Sequence, residues 1–547
     1  MGFAIGIQNY INYQLNFAGG DLTAELAVAK IAYNGDIFSV SKVIGWPNGY
    51  SLWAFPLSGI GPITTYFILG LFSNQVSISF IYLFTFLVGN AINTFFAHWM
   101  IKNEFRNKYL PLLFASLVGL SSLIFYRIGH IPVVWFYFPL VVFGLLLRYS
   151  RNSIRIKKVI LFALFAGIFS PPWWVAVVIF ITLFMLVVLS VNYKKYIREL
   201  KFWICIFGTS LISTFPTLFL YLDNFSFVAK STRTPWQSNV FGGRITDLFI
   251  QSPTLNLITK MDSKFIEGVS PEAMINILGL PLLVGFIVSV IYLLVVFTKK
   301  EDNTPKDFTL VLVICFGLFI SGGLGNLQAT IFAIFDQSSP ARSWSRLIIL
   351  ISILGLFTLL KYLDSINLRK STVLILATIL LFFSVIEVIN AKKPTPISPA
   401  SLEEFAPVKF INDKTKSCPI IQLPIDTIPV PQDFTFQNGN RFFFNQYIPF
   451  LISDKNQWST GISLGSNYWQ ESRNIPSKIT AENLDIIKDK GFCGILFDKE
   501  FSKWQQQRNA GLDLETGSPT NSGNWPGVQI ENVTPNFENK RFSVFLF

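Results

Sequence analysis

From residue 76 to 222, and again from 274 to 391, apolar residues come in long runs separated by short polar connections. Runs of about 20 apolar residues are long enough to cross a ~30 Å hydrocarbon core as α-helices, which satisfy their own backbone polar groups. The pattern predicts ten spans: 76–100, 108–127, 131–149, 157–170, 173–192, 202–222, 274–298, 308–326, 344–363 and 371–391. The fourth is short and runs into Pro171-Pro172, as a half-helix that turns back would. The first 18 residues are interrupted by Gln8, Asn9, Asn12, Gln14 and Asn16, which makes a poor span. Either the N-terminus lies outside or an expected first helix precedes Met1. No basic n-region or clean apolar core marks a signal peptide. The stretch "IGWPNGYSLWAFPLSGIGP" is too rich in Gly and Pro for a regular helix, and its Trp46, Tyr50, Trp53 and Phe55 suit a membrane–water interface.

The pattern changes again at "AKKPTPISPASLEEF", a Pro/Ser linker. Beyond it, "CPIIQLPI" and "GFCGILFD" are short apolar runs bounded by turn residues, which predicts buried strands. "SKITAENLDIIKDKG" predicts a capped helix ending at Gly491. The expected organisation is an outer-face segment 1–75, a transmembrane helical domain 76–391 with an outer loop 223–273, and a soluble extracytoplasmic domain 392–547 of α/β or α+β type. The fold class is thus a polytopic α-helical membrane protein of about ten spans with that C-terminal domain.

Composition agrees. The 547 residues are 51% hydrophobic with a mean hydropathy of +0.48, and only 14% are charged, against about 25% in soluble domains. A net charge of +12 suggests nucleic acid in a soluble chain. Here the basic residues fall in alternate loops: Lys102/Arg106/Lys108, Arg148/Arg151/Arg155/Lys157/Lys158, Lys194/Lys195/Arg198/Lys201, Lys299/Lys300/Lys306 and Lys361/Arg369/Lys370. Membrane proteins keep such residues in cytoplasmic loops, so the charge is a topology signal and no nucleic acid is expected. The other loops, and the tail, are assigned to the outer face. Cys205 and Cys315 lie in spans and are expected to act as small apolar residues. Cys418 and Cys493 lie in the tail, where a disulfide is permitted but not specified by the sequence.

Candidate chemistry lies on that outer face. Asp21, Glu25, Lys30 and Asp36 come from the first segment, Arg127 and His130 from a tight turn, and Arg342 and Arg346 from the mouth of a span. Asp21 and Glu25 share a helix face at i,i+4 spacing, which suits a general base acting on a hydroxyl acceptor. Equally, Asp21 after Gly19-Gly20 suits an N-cap or first-turn acid of a surface helix. Arg342 and Arg346, a turn apart, fit a lipid phosphate with their planar donor forks, or snorkel to headgroups. Trp344 between them suits an interface anchor. His130 either touches a phosphate or acceptor, or satisfies local backbone. No metal-spaced His/Asp/Glu cluster, P-loop, dinucleotide fingerprint or nucleophile elbow is present, which argues against an ATP-driven pump or a soluble-type hydrolase.

These features together resemble the GT-C superfamily of integral-membrane glycosyltransferases, in particular bacterial members with an extracytoplasmic tail. The resemblance is carried by "GGDLTAELAVAKIAYNGDIF", "IGWPNGYSLWAFPLSG", "RIGHIPVVWFYFPLVVFGLLLR" and "ARSWSRLIILISILGLF", and in the tail by "IIQLPIDTIPVPQ", "WSTGISLGSNYW" and "GFCGILFDKE". It implies transfer of a sugar from a polyprenyl-phosphate donor to a cell-envelope glycan, lipid or protein acceptor on the outer face of the bacterial cytoplasmic membrane, with inversion. Asp21 would be the catalytic base, and Arg342 and Arg346 would face the lipid phosphate. Glu25, Lys30, Asp36 and His130 complete the expected substrate contacts. The adjacent Asp-Glu of several such transferases is here Asp21-Leu22, so the resemblance implies no cofactor with certainty, and a divalent metal stays open. The rival expectations are a transporter or flippase of lipid-linked glycans, for which Glu387 and His98 are the span-buried ionisable candidates, and an envelope assembly protein.

Overall fold

The architecture is that of a computed structural model. It describes residues 21–54, 59–72, 78–127, 130–223, 242–243, 278–298, 306–334, 343–366, 370–390, 405–415, 417–424, 447–453, 456–459, 475, 478–503 and 528–547. Five helices among these are long and apolar enough to cross a membrane: Phe80–Ile101, Ile131–Ser150, Pro172–Ser190, Ile197–Leu220 and Trp344–Ser365. Shorter apolar helices stand beside them. The chain is a polytopic α-helical membrane protein with a small C-terminal sheet.

The helices run α1 (Asp21–Tyr33), α2 (Ile60–Phe72), α3 (Ile78–Ile101), α4 (Tyr109–Gly119), α5 (Ser122–Tyr126), α6 (Ile131–Val134) and α7 (Tyr137–Ser150). Then come α8 (Ile156–Phe169), α9 (Pro172–Ser190), α10 (Ile197–Asp223), α11 (Leu280–Thr298), α12 (Lys306–Phe319), α13 (Leu324–Ile334), α14 (Ile348–Ser365) and α15 (Lys370–Asn390). Three expectations change. The stretch 60–72, left outside the spans, forms α2; Gly61 and Gly70 let it lie directly on the backbone carbonyls of Phe169 and Tyr33. The span expected at 308–326 breaks after Phe319 into α12 and α13. The span expected at 108–127 is divided at residues 120–121, and the one expected at 131–149 is interrupted at 135–136 while Ile131–Ser150 remains long and apolar enough to cross. The short fourth helix behaves as expected: α8, about 21 Å at 1.5 Å per residue, ends before Pro171, and Pro172 opens α9, where its missing N–H costs nothing.

The two ends of the bundle differ. At one end Arg148 donates to the terminal carbonyls of α3, at Trp99 and Met100, and stacks on the Trp99 ring at 3.8 Å. Arg151 meets Glu104 at 2.5 Å, Lys361 donates to the Glu104 carbonyl, Arg198 caps Tyr149, and Asp364 accepts from the amides of Arg106 and Asn107. The basic loops at 102–108, 148–158 and 194–201 and Lys361 therefore come together, knitted by charge-assisted bonds. Burial raises the Glu104 carboxyl above its ordinary range against the pull of Arg151 and Lys361. The opposite end carries α1, α2, α6, the start of α9 and the Trp344–Leu347 turn that opens α14.

The C-terminal part adds α16 (Ala406–Lys414), β1 (Pro419–Leu423), α17 (Tyr447–Ile452), β2 (Gln457–Trp458), β3 (Lys478–Ile479), α18 (Asp485–Asp489), β4 (Gly494–Asp498), β5 (Gln529–Ile530), β6 (Phe537–Glu538) and β7 (Phe542–Leu546). The sheet order is β2-β1-β4-β7-β6, with β1 parallel to β2 and β4, and β7 antiparallel to β4 and β6. The predicted runs "CPIIQLPI" and "GFCGILFD" contain β1 and β4, which are neighbours inside that sheet. The helix predicted over 477–491 is shorter: β3 takes its start, a 3-10 turn with a Thr480–Asn483 capping box follows, and α18 ends before Gly491 at φ 85°. A disulfide joins Cys418 to Cys493 across β1 and β4, Cα atoms 6.1 Å apart. Arg541 grips Asp498 with Nε at 2.9 Å and Nη2 at 2.6 Å.

Two consequences are testable. α11 and α14 touch through Gly285 and Gly355 so closely that a Cβ on Gly355 collides with the Gly285 carbonyl; Gly355→Leu is expected to cost at least about 3 kcal/mol, read as a lowered melting temperature in detergent. The disulfide closes a loop of 75 residues, so Cys418→Ala is expected to destabilise the sheet by about 4 kcal/mol on the chain-entropy account. Denaturant unfolding followed by tryptophan fluorescence checks the latter.

Candidate active site

The sequence of α1, DLTAELAVAKIAY, leaves apolar side chains on every face, and a helix apolar all round must be buried. From Thr23 to Ala32 every side chain is buried. The surface-helix alternative is therefore not what forms: Glu25 is 3% exposed and Lys30 7%. Asp21 opens α1, one turn before Glu25; its side chain lies outside the described residues.

Lys30 is met by the C-terminal part. Its Nζ donates to the carbonyls of Phe450 at 2.7 Å, Leu451 at 3.3 Å and Ser453 at 3.3 Å, and stands over the Phe450 ring at 4.8 Å. These carbonyls end α17, where intrahelical partners run out and the helix dipole is negative.

Glu25 has aromatic hydroxyls for company. Its charge acts on Tyr50 and Tyr66, both buried. Tyr66 stacks on Tyr82, ring centroids 6.5 Å apart. Tyr50 is held by paired backbone bonds to Ser41, each 2.9 Å, and its hydroxyl is hydrogen-bonded to Tyr447 at the start of α17. Burial drives the Tyr50 phenol well above its ordinary range; Tyr447 opposes this and Glu25 adds to it. Tyr50 and Trp53 are thus core residues rather than the expected interface anchors, and the Trp53 indole N–H is used by the Ile37 carbonyl at 2.5 Å.

The loop after α1 extends the sheet. Ile44 pairs with Trp458 of β2, the Trp46 amide donates to the Trp458 carbonyl at 3.1 Å, and the Trp458 amide donates to Val43 at 2.9 Å. Asp36 is half-buried in the turn following α1 and accepts from Ser39 Oγ at 3.2 Å.

A second group gathers at the start of α9. Trp173 and Trp174 meet edge to face with centroids 4.5 Å apart, and Trp174 donates to the Val133 carbonyl of α6 at 3.2 Å. His130, half-buried, precedes α6 and accepts from the Val133 amide at 2.9 Å, and Arg127 is fully buried nearby in sequence. The half-buried Arg346 guanidinium lies over the Trp173 ring, 5.5 Å from its centroid. Arg342 lies outside the described residues. The single α-helical face expected for the two arginines is interrupted, because Ser343 has φ −100° and ψ 67° and residues 344–347 form a 3-10 turn. Trp344 is fully buried against Phe180 instead of anchoring at an interface. No local pattern marks Tyr66, Tyr447 or Trp173; their places arise from contacts between distant segments.

No protein-family model matches the chain, and no curated protein does. Among solved structures it is similar to the archaeal oligosaccharyltransferase AglB from Archaeoglobus fulgidus, described in complex with an inhibitory peptide and a dolichol-phosphate, at 11% identity and TM-score 0.46, over 90% of this chain and 67% of that one. It is similar to the arabinofuranosyltransferase AftD from Mycobacteria at 12% identity and TM-score 0.48, covering 90% of this chain and 35% of that one. It is also similar to ArnT from Cupriavidus metallidurans at 11% identity and TM-score 0.43, covering 92% and 94%.

The raised Tyr50 phenol has a sign. A folded-state value above the unfolded value near 10 stabilises the fold below that pH, and the contribution is lost as pH rises through and beyond it. Tyr50→Phe is expected to flatten the alkaline loss of stability above about pH 10, measured by thermal unfolding across a pH series.

Proposed function

We propose that the protein is an outer-face glycosyltransferase that uses a polyprenyl-phosphate sugar and works at the non-basic end of the bundle. The observation that carries this is the burial of α1. A carboxylate-bearing helix is sunk into that end of a membrane protein, beneath the C-terminal sheet, with Glu25 one turn from Asp21. Burial of charge at such a place calls for a functional reason. In this reading Asp21 takes the proton of the acceptor hydroxyl and the sugar is inverted in one displacement at its anomeric carbon. Arg346, stacked on Trp173, offers its fork to the leaving phosphate. The indole N–H of Trp173 and the hydroxyl of Ser170 are buried without a protein partner and supply two further donors there. The basic end faces the cytoplasm, by the positive-inside rule, and the C-terminal sheet lies on the other side.

A transporter calls for charge deep within the spans, and Glu387 is one of the two span-buried ionisable candidates. That carboxylate is 1% exposed and accepts the Leu280 amide at 2.8 and 2.9 Å, capping the start of α11. A helix cap accounts for it without a transported ligand.

Purified protein in nanodiscs, given lipid-linked sugars, is expected to release polyprenyl phosphate when an acceptor is present. Asp21→Asn is expected to lower that rate by at least about 100-fold, and Arg346→Met to weaken donor use with acceptor KM unchanged. Full activity of Asp21→Asn would remove Asp21 from the mechanism.

A further inference from the structure

Helix α17 is fastened at both ends to the first segment of the chain. At its C-terminal end, the Phe450, Leu451 and Ser453 carbonyls hold the buried Lys30 ammonium. At its start, the Tyr447 phenol, 3% exposed, is hydrogen-bonded to Tyr50, on which the Glu25 carboxylate acts. Beside it, residues 43–46 add to the edge of the sheet at Trp458. An ammonium has three protons and no acceptor, so three carbonyls converging on Lys30 specify where α17 ends and leave little freedom at Tyr447, one and a half turns earlier.

We propose that Tyr447 is a positioning residue of the α1 site, and that docking of the C-terminal sheet through the Lys30 clamp delivers it. The inference rests on the reading of α1 as the catalytic helix. Tyr447 touches Tyr50, Tyr50 feels Glu25, and Glu25 lies one turn after Asp21. The chain of phenols and carboxylate orients the charge behind the base, so the sheet completes the site instead of merely covering it. Without the clamp, three terminal carbonyls of α17 lose their donor and Tyr447 leaves Tyr50.

The test uses the full chain in nanodiscs, as wild type, Tyr447→Phe, Lys30→Met and the milder Phe450→Leu, each checked for monodispersity. One arm follows hydrogen exchange at the Trp46 and Trp458 amides. The other follows release of undecaprenyl phosphate from a panel of undecaprenyl-phosphate monosaccharides across a pH series. Tyr447→Phe is expected to keep both amides protected while kcat falls about tenfold, donor KM stays within about twofold, and the acid limb of the profile moves. Lys30→Met is expected to lose protection and activity together, with Phe450→Leu between it and wild type. Wild-type kinetics and pH profile in Tyr447→Phe would overturn its positioning role; full protection in Lys30→Met would overturn the clamp. A wild type that releases nothing from any donor in the panel overturns the catalytic reading of α1 and Tyr447's role with it, while the exchange arm still decides the docking.

Discussion

An ammonium taken out of water is costly unless every proton finds an acceptor. Lys30 finds acceptors where α17 ends against it, with three carbonyls at 2.7–3.3 Å and an aromatic face at 4.8 Å. The burial of α1, the position of the C-terminal sheet and the composition of the candidate site all depend on this contact. Without α17 the Lys30 ammonium would lose these three acceptors in the middle of an apolar helix.

The same logic recurs at the other end of the molecule with opposite consequences. There Arg148, Arg151, Arg198 and Lys361 spend their donors on helix-terminal carbonyls and on Glu104. Those groups tie α3, α7, α10 and α14 to one another at the end where the basic loops gather. Glu387 does comparable work at the start of α11. Among the described residues, several charged groups thus bind helix-terminal backbone. The buried Glu25 acts electrostatically on the Tyr50 and Tyr66 phenols, one turn after Asp21.

Much of the bundle was legible in the sequence, because span length is imposed by bilayer thickness and the basic loops are imposed by topology. The spans at 173–192 and 371–391 match α9 and α15 closely, and β1 and β4 were visible as short apolar runs between turn residues. α2 was not legible: its glycines and proline read as a loop, yet the glycines are what permit backbone contact with Phe169 and Tyr33. The two arginines looked like one face because i,i+4 spacing presumes an α-helix, and the 3-10 turn at 344–347 breaks that presumption. The tryptophans and tyrosines of the first segment looked interfacial because hydropathy cannot tell a lipid headgroup from the underside of a sheet.

What the chain's own pattern determined is the class of protein, the asymmetry of its two ends and the candidacy of Asp21. These follow from local periodicity, span length and loop charge, which need no partner to be read. Only the tertiary structure decided that α1 is buried, that Lys30 holds α17, and that Tyr447 reaches Tyr50 near Glu25. Those facts join residues about 400 positions apart in sequence, and a contact between distant segments leaves no periodic trace in either of them. The stretch first met as an ambiguous acidic helix is therefore neither a solvated surface helix nor an isolated carboxylate, but a buried element shared by the bundle and the sheet.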